Sequence, residues 1–249
     1  MKDIWEHGSL RGRWDISQES FQDSIFVFPV VSIGNVPQLA VDLLLENFSF
    51  QPVGILDSSA LVPFFGHGAL KGPYSITTAL QVFWLERAPD NANIVCIQAR
   101  TPPSKGFAKL FVEEIISLVN LWKPRLAVFL TSFSALSIIP GGVVQPGQFK
   151  VIRTAVSENA VEVNPDAIEC VGLEYFEGDK FSLFGKFWDK LKSSSSLPCC
   201  VTALGMHVYE GDNTNDAIHY FTKLCNFLRL PNVPNDESVK LPESWSCII

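Results

Sequence analysis

The helix-patterned stretch 104–122 runs almost directly into an apolar stretch, 125–131, and this pairing constrains the fold more than any other feature. In the first, Leu110, Phe111, Glu114, Ile115, Leu118 and Leu121 recur at three- and four-residue spacing, with Phe107 one turn earlier. That rhythm predicts a helix with one apolar face, stopped by Lys123-Pro124. In the second, Arg-Leu-Ala-Val-Phe-Leu-Thr, the in-and-out alternation of a half-exposed strand is missing. A strand without alternation is covered on both faces, so helices must lie on both sides of its sheet.

The same switch between strand-like and helix-like patterns recurs along the chain. Strands are predicted over 24–31, 53–57, 76–86, 93–98, 125–131 and 199–208, and less distinctly over 149–155 and 168–176. Helices are predicted over 36–46, 104–122, 181–192 and 214–230, with Pro37 suited to the first turn of its helix. Such an order predicts an α/β sandwich around a mixed, mostly parallel sheet. The Ser-, Gly- and Pro-rich stretch 132–148 reads as a long loop, and 193–196 as a flexible run. At 249 residues, against about 150 per domain, the chain allows one large domain or two small ones. With no long linker, a single domain over 1–249 is expected, with a polar N-terminal extension (about 1–20) and an extended C-terminal tail (about 231–249).

Charged residues make up 18% of the chain, against a usual value of about 25%. A chain so thinly charged has either a face covered by a partner or a thick core, which gives the same count. The net charge of −7 argues against nucleic acid, whose binders carry a basic stripe. The apolar runs are too short to cross a membrane, and the polar opening residues lack a secretory signal. Cys96, Cys170, Cys199, Cys200, Cys225 and Cys247 are scattered. They read as reduced, mostly buried thiols of an intracellular protein, and the adjacent Cys199 and Cys200 point to opposite faces of a strand.

Catalytic motifs are scarce. The chain has no Gly-x-Ser-x-Gly elbow, no Gly-x-Gly-x-x-Gly, no phosphate loop and no His-Glu-x-x-His. Of its histidines, His67 in Phe-Gly-His-Gly is the one in a loop able to line a site, or else a surface imidazole, while His207 reads as structural and His219, on the last helix, as easily faces solvent. Two strand-to-helix junctions stand out. In the first, Ser32-Ile33-Gly34-Asn35 precedes Gln38 and Asp42, and Asn35 is expected to cap the helix while Gly34 makes a tight turn. Its free N–H groups could instead hold an anion. In the second, Glu210-Gly211-Asp212-Asn213 precedes Asp216, with Asp212 or Asn213 capping and Asp216 completing a box-like pair. These acids fall short of a calcium loop, so no metal and no cofactor are expected.

Taken together, the two junctions resemble the proteasome assembly chaperone family. The carrying residues are Ser32, Gly34-Asn35, Gln38-Leu39-Ala40 and Asp42-Leu43 in the first block, and Glu210-Gly211-Asp212-Asn213 with Asp216-Ala217 in the second. Asp57 with Leu61-Val62-Pro63, and Pro242 with Ser244-Trp245, fall in the matching order. The resemblance spans 25–63 and 205–245 and leaves 132–196 unmatched.

It implies a three-layer αβα sandwich similar to nucleoside phosphorylases and related hydrolases, without a known activity. It further implies pairing with proteasome assembly chaperone 1, binding to alpha-type subunits of the proteasome core particle to promote alpha-ring assembly and prevent off-pathway association, and a cytoplasmic and nuclear location. Gly34, Asn35 and Gln38 are then expected near the pairing surface, Asp212 and Asn213 to fix the last helix, and Trp245 to pin the tail. Chaperones of this type can insert a hydrophobic-Tyr-x tail into alpha-ring pockets. Here the last residues are Ser246-Cys247-Ile248-Ile249, without the Tyr, which leaves three readings: Ile248 and Ile249 occupy such a pocket, the partner subunit supplies the anchoring tail, or the sandwich face acts alone. The alternative reading is a phosphorylase-like or hydrolase-like enzyme using the Gly34–Asn35 junction and His67.

Overall fold

The computed structural model describes residues 4–7, 10–68, 76–87, 91–136, 145–153, 169–170, 182–193 and 197–247. Its centre is four parallel strands: β8 (Ile94–Ala99), β3 (Ile25–Pro29), β9 (Leu126–Ser134) and β12 (Cys200–Val208), in that spatial order. Antiparallel strands extend the sheet on both sides. Beyond β8 lie β7 (Leu80–Leu85), β4 (Gln51–Ser58), β2 (Leu10–Trp14) and β1 (Ile4–His7), each antiparallel to its neighbour. Beyond β12 lie β10 (Phe149–Arg153), antiparallel to it, and β11 (Glu169–Cys170). The expected mixed sheet is therefore parallel in its centre and antiparallel in its flanks, apart from β11, which runs parallel to β10.

Two helices cover each face. On one, α1 (Val36–Asn47) packs beside α4 (Thr214–Phe227); on the other, α2 (Ala108–Trp122) packs beside α3 (Leu183–Ser193). β9 shows why its sequence lacks alternation. Leu126, Val128 and Leu130 enter the core under α1 and α4, whereas Ala127, Phe129 and Phe133 enter the core under α2 and α3. Both parities are buried, which is the three-layer sandwich the sequence predicts. Cys199 packs on one of these cores and Cys200 on the other, the opposite faces expected of adjacent strand residues.

Several boundaries shift for local reasons. The helix expected from 104 begins at Ala108, because Gly106 has φ +89°, outside the helical region, and Phe107 turns to solvent. It ends as predicted, with Lys123 left-handed at φ 48° before Pro124. The strand expected over 76–86 breaks at Ala79 into β6 (Ile76–Thr78) and β7, and β6 leaves the main sheet to pair with β5 (Phe65–His67) as a separate ribbon. The last helix stops at Phe227, short of 230, where the chain reverses through Arg229 at φ 52°. Much of the loop at 132–148, most of the strand expected over 168–176, the run 194–196, and Ile248 and Ile249 lie outside the described residues.

The polar N-terminal extension needs correction. Ile4–His7 and Leu10–Trp14 form β1 and β2 of the sheet, and Leu10, Trp14 and Phe21 are fully or almost fully buried. Phe21 stacks on Trp122 at 4.2 Å between ring centroids, and Trp14 meets Trp122 edge-on at 5.6 Å. Arg11 and Arg13 face solvent between the buried residues, and that charge hides the strand from a reading by composition.

Candidate interaction site at the carboxyl edge of the sheet

The parallel strands β3, β9 and β12 all end on one edge, with Pro29 opposite Leu130 and Ser134 opposite Val208. Past β3 the chain is fastened to β9. Val30 N donates to Leu130 O (2.9 Å), Ser132 N donates to the Ser32 hydroxyl (3.0 Å), and the hydroxyls of Ser32 and Ser132 lie 2.9 Å apart. Ser32 Oγ donates to Val30 O, and Ser132 Oγ to Ile33 O, so both hydroxyls are also held by main chain.

The turn that follows is left-handed twice, at Gly34 (φ 66°) and Asn35 (φ 52°). Asparagine tolerates that region better than most residues. At Gly34 a side chain is also excluded by contact, because a Cβ there would sit 2.5 Å from Asn213 Nδ2. The two motifs, about 180 residues apart in the chain, therefore touch. Asn213 is 4% exposed and donates from Nδ2 to Gly211 O at 2.9 Å.

The capping roles differ from expectation. Asn35 occupies the cap position of α1, but its side chain makes no capping bond. Gln38 is buried and closes the turn instead: with its amide oxygen and nitrogen assigned by their neighbours, the nitrogen donates to Asn35 O and the oxygen accepts from Val31 N, both at 3.2 Å. On α4 Asn213 holds the cap position without a side-chain capping bond, and the side-chain cap comes from Asp212, one of the two residues expected to supply it. Asp212 Oδ1 accepts from Thr214 N (3.0 Å) and Thr214 Oγ1 (2.7 Å), and these bonds hold its carboxyl below the usual range. Asp216 sits near His219, and burial raises its carboxyl. Glu210, Gly211 and Asp212 are exposed.

Lower on α1, Asp42 forms a second polar cluster. It is 2% exposed and accepts from Gln98 Nε2 at 2.6 Å and from both terminal nitrogens of Arg100, at 2.8 and 2.7 Å. Trp245 Nε1 donates to its second oxygen at 3.5 Å, so the expected pin of the tail closes on this carboxylate. The tail is tied again at Lys240, whose backbone N–H and C=O both bond the Asn47 amide at 2.9 Å. Sequence reading missed Gln98, Arg100 and Ser132. The available signal was a glutamine and an arginine alternating at the end of an apolar strand, which need a buried acceptor.

Six of the eight large apolar side chains exposed among the described residues gather at this same edge. Leu136 (78%) and Tyr209 (51%) follow β9 and β12, which are joined there by Ala135 N donating to Val208 O. Val62, Phe65, Ile76 and Phe107 gather at the other end, beyond β4 and β8; Ile55 and Leu241 lie elsewhere. Thr101 Oγ1 donates to Val62 O and Ser104 N to Ala60 O, which ties that end together. On the ribbon, cross-strand pairing puts Phe65, His67 and Ile76 on one face, so His67 is exposed beside two apolar side chains. His207 is buried, with Nδ1 3.4 Å from Ser134 O and its ring 5.4 Å from Phe133. Burial pushes its imidazole below the usual value. Burial raises the thiols of Cys96, Cys199 and Cys225, that of Cys199 to about 12. Among the described residues, no group of three or more His, Cys, Asp or Glu could hold a metal.

The model of the PAC2 family matches residues 26–180, more than half of the chain. The chain belongs to the PAC2 family. Its kinship extends past that region: a Nematostella vectensis protein named proteasome assembly chaperone 2 is 24% identical, over 88% of this chain and 94% of its own length. A Xenopus laevis protein of the same name is also 24% identical, over 92% of this chain and 93% of its own. A crystal structure of Pyrococcus furiosus PbaB, described as an archaeal proteasome activator, superposes with a TM-score of 0.60. It is 13% identical and covers 96% of this chain and 92% of its own, which establishes a shared PAC2 fold. The resemblance read from the two junctions thus agrees with the family. The second junction lies beyond residue 180, and it is the relatives' longer alignments that reach toward it.

Proposed function

We propose that this chain is a proteasome assembly chaperone subunit that works by binding rather than by chemistry. It pairs with proteasome assembly chaperone 1, and the pair binds alpha-type subunits of the proteasome core particle, promoting alpha-ring assembly and preventing off-pathway association. It does so in the cytoplasm and nucleus. The observation that carries this reading is kinship along 88% and 92% of the chain with proteins named for that role. Support comes from the edge itself, where exposed apolar side chains surround a rigid, hydrogen-bonded junction, as a docking surface requires.

The enzymic alternative needs the Gly34–Asn35 turn and His67 in one site. The carboxyl end of parallel strands is where an α/β sheet places ligands. Here, however, the Ser32 and Ser132 hydroxyls are engaged with each other and with main chain, and His67 rides on the ribbon beside Phe65. The test is affinity purification of the tagged chain from its own cells, with mass spectrometry of what is retained. Alpha-type subunits together with a second chaperone of similar size are expected. Recovery of the bare chain, with phosphate-dependent turnover of a nucleoside, would overturn the proposal.

A further inference from the structure

The two ends of the carboxyl edge differ in charge. Three stretches of described residues build the Leu136–Tyr209 end: 24–45, 126–136 with 145–148, and 201–222, and none contains a lysine or arginine. The second has no charged residue at all, and the third contributes Glu210, Asp212 and Asp216. Asp42, the acid of the first segment, is buried against Arg100 and is not presented at the surface. Glu210 and Asp212 are exposed next to Tyr209, itself half exposed, and Leu136 stands out beside them. At the other end, Phe107 is flanked by the exposed Lys105 and Lys109.

We propose that the Leu136–Tyr209 end docks a protein partner whose contact face has an apolar centre rimmed by lysine and arginine. This rests on the binding role proposed above and names the chemistry of one partner at that site. Leu136 and Tyr209 supply the apolar contact, and Tyr209 adds a polar tip on a stiff ring, a residue type favoured at the centre of interfaces. Glu210 and Asp212 supply the charge match. Rim charges of this kind act chiefly on association rate and on its salt dependence, while the apolar pair acts on residence time. The described residues of this rim carry no exposed cation, which also disfavours acidic partners, including a second copy of this chain, whose net charge is −7.

The test measures binding of the intact chain to purified alpha-type proteasome subunits and to purified proteasome assembly chaperone 1, by biolayer interferometry at several salt concentrations. The first variant is Glu210→Gln with Asp212→Asn, because asparagine keeps an oxygen for the Thr214 cap while losing the charge. Its association rate at low salt should fall by about tenfold toward at least one probe, and its salt dependence should flatten. The second variant, Leu136→Ser with Tyr209→Ser, should shorten the lifetime of the same complex by about tenfold or more. Ile55→Ser, exposed on β4 away from the edge, should leave binding unchanged, and melting curves confirm that each variant folds. Binding that survives both edge variants unaltered, at every salt concentration, overturns the docking proposal and leaves the chaperone reading intact. A wild-type chain that binds neither probe overturns both.

Discussion

Helix α1 carries two polar clusters, and they do opposite work. At its start, the Ser32–Ser132–Asn213 junction is neutral, its two hydroxyls are bonded to each other and to main chain, and it lies among exposed apolar side chains. Near its middle, Asp42 is an acidic side chain buried against β8 and under the tail, with Gln98, Arg100 and Trp245 all donating to it. The first cluster fixes the shape of a surface that meets other molecules. The second fixes the C-terminal tail to the body, and among the described residues Gln98 Oε1 and Arg100 Nε make no hydrogen bond. The lesson is that buried charge here serves attachment, whereas the edge is shaped by neutral hydrogen bonds and one glycine.

If that division holds, the largest loss should come from Asp42→Ala, which leaves the Arg100 guanidinium, only 14% exposed, without its carboxylate. Removing one partner of a buried pair costs about 3–5 kcal/mol, so chemical denaturation should show a shift of that size. Gly34→Ala should come next. It forces a side chain into a left-handed turn and against Asn213, at a cost of about 1–3 kcal/mol. Unlike Asp42→Ala, it should also weaken partner binding, and equal effects on binding from the two would erase the distinction. Trp245→Phe keeps most of the tail's apolar contact and removes one long hydrogen bond, so a loss below about 1 kcal/mol is expected. A hydrogen-exchange increase confined to 240–247 would place the effect on the tail.

The smallest effect is one of pH. His207 sits at the end of β12 with its imidazole buried and its protonation disfavoured, so the unfolded chain, near the ordinary value of about 6.5, binds the proton more readily. Stability contributed by the neutral ring is present above that pH and is lost as pH falls below it. His207→Asn should flatten that part of the stability profile, and an unchanged slope would show that another group sets it.

The central strands and the four helices are legible in the sequence because each has a single periodicity and neighbours that punctuate it. Lys123-Pro124 and Pro37 sit where their geometry demands. The sheet's far flank is not legible in the same way. β2 is five residues long, alternates arginine with buried residues, and owes its place to pairing with β4, some forty residues away, as in Arg13 opposite Ile55. Composition makes that segment look solvated, and only its partner shows otherwise. The candidate site divides similarly. Gly34, Asn35, Asp212 and Asn213 could be singled out from local turn and cap chemistry, and Asp42 from its place in the motif. That Gly34 is required by Asn213, or that Asp42 answers Arg100 across 58 positions, depends on contacts that no local pattern encodes.

The most direct test of the edge as the docking surface is hydrogen–deuterium exchange of the chain, free and bound to the alpha-type subunits and the second chaperone proposed above as its partners. The account predicts new protection in 30–36, 61–67, 134–136 and 208–213, with the exposed surfaces of α2 and α3 unchanged. Protection confined to those helices or to the β1–β2 hairpin, with the edge exchanging as in the free chain, would contradict it.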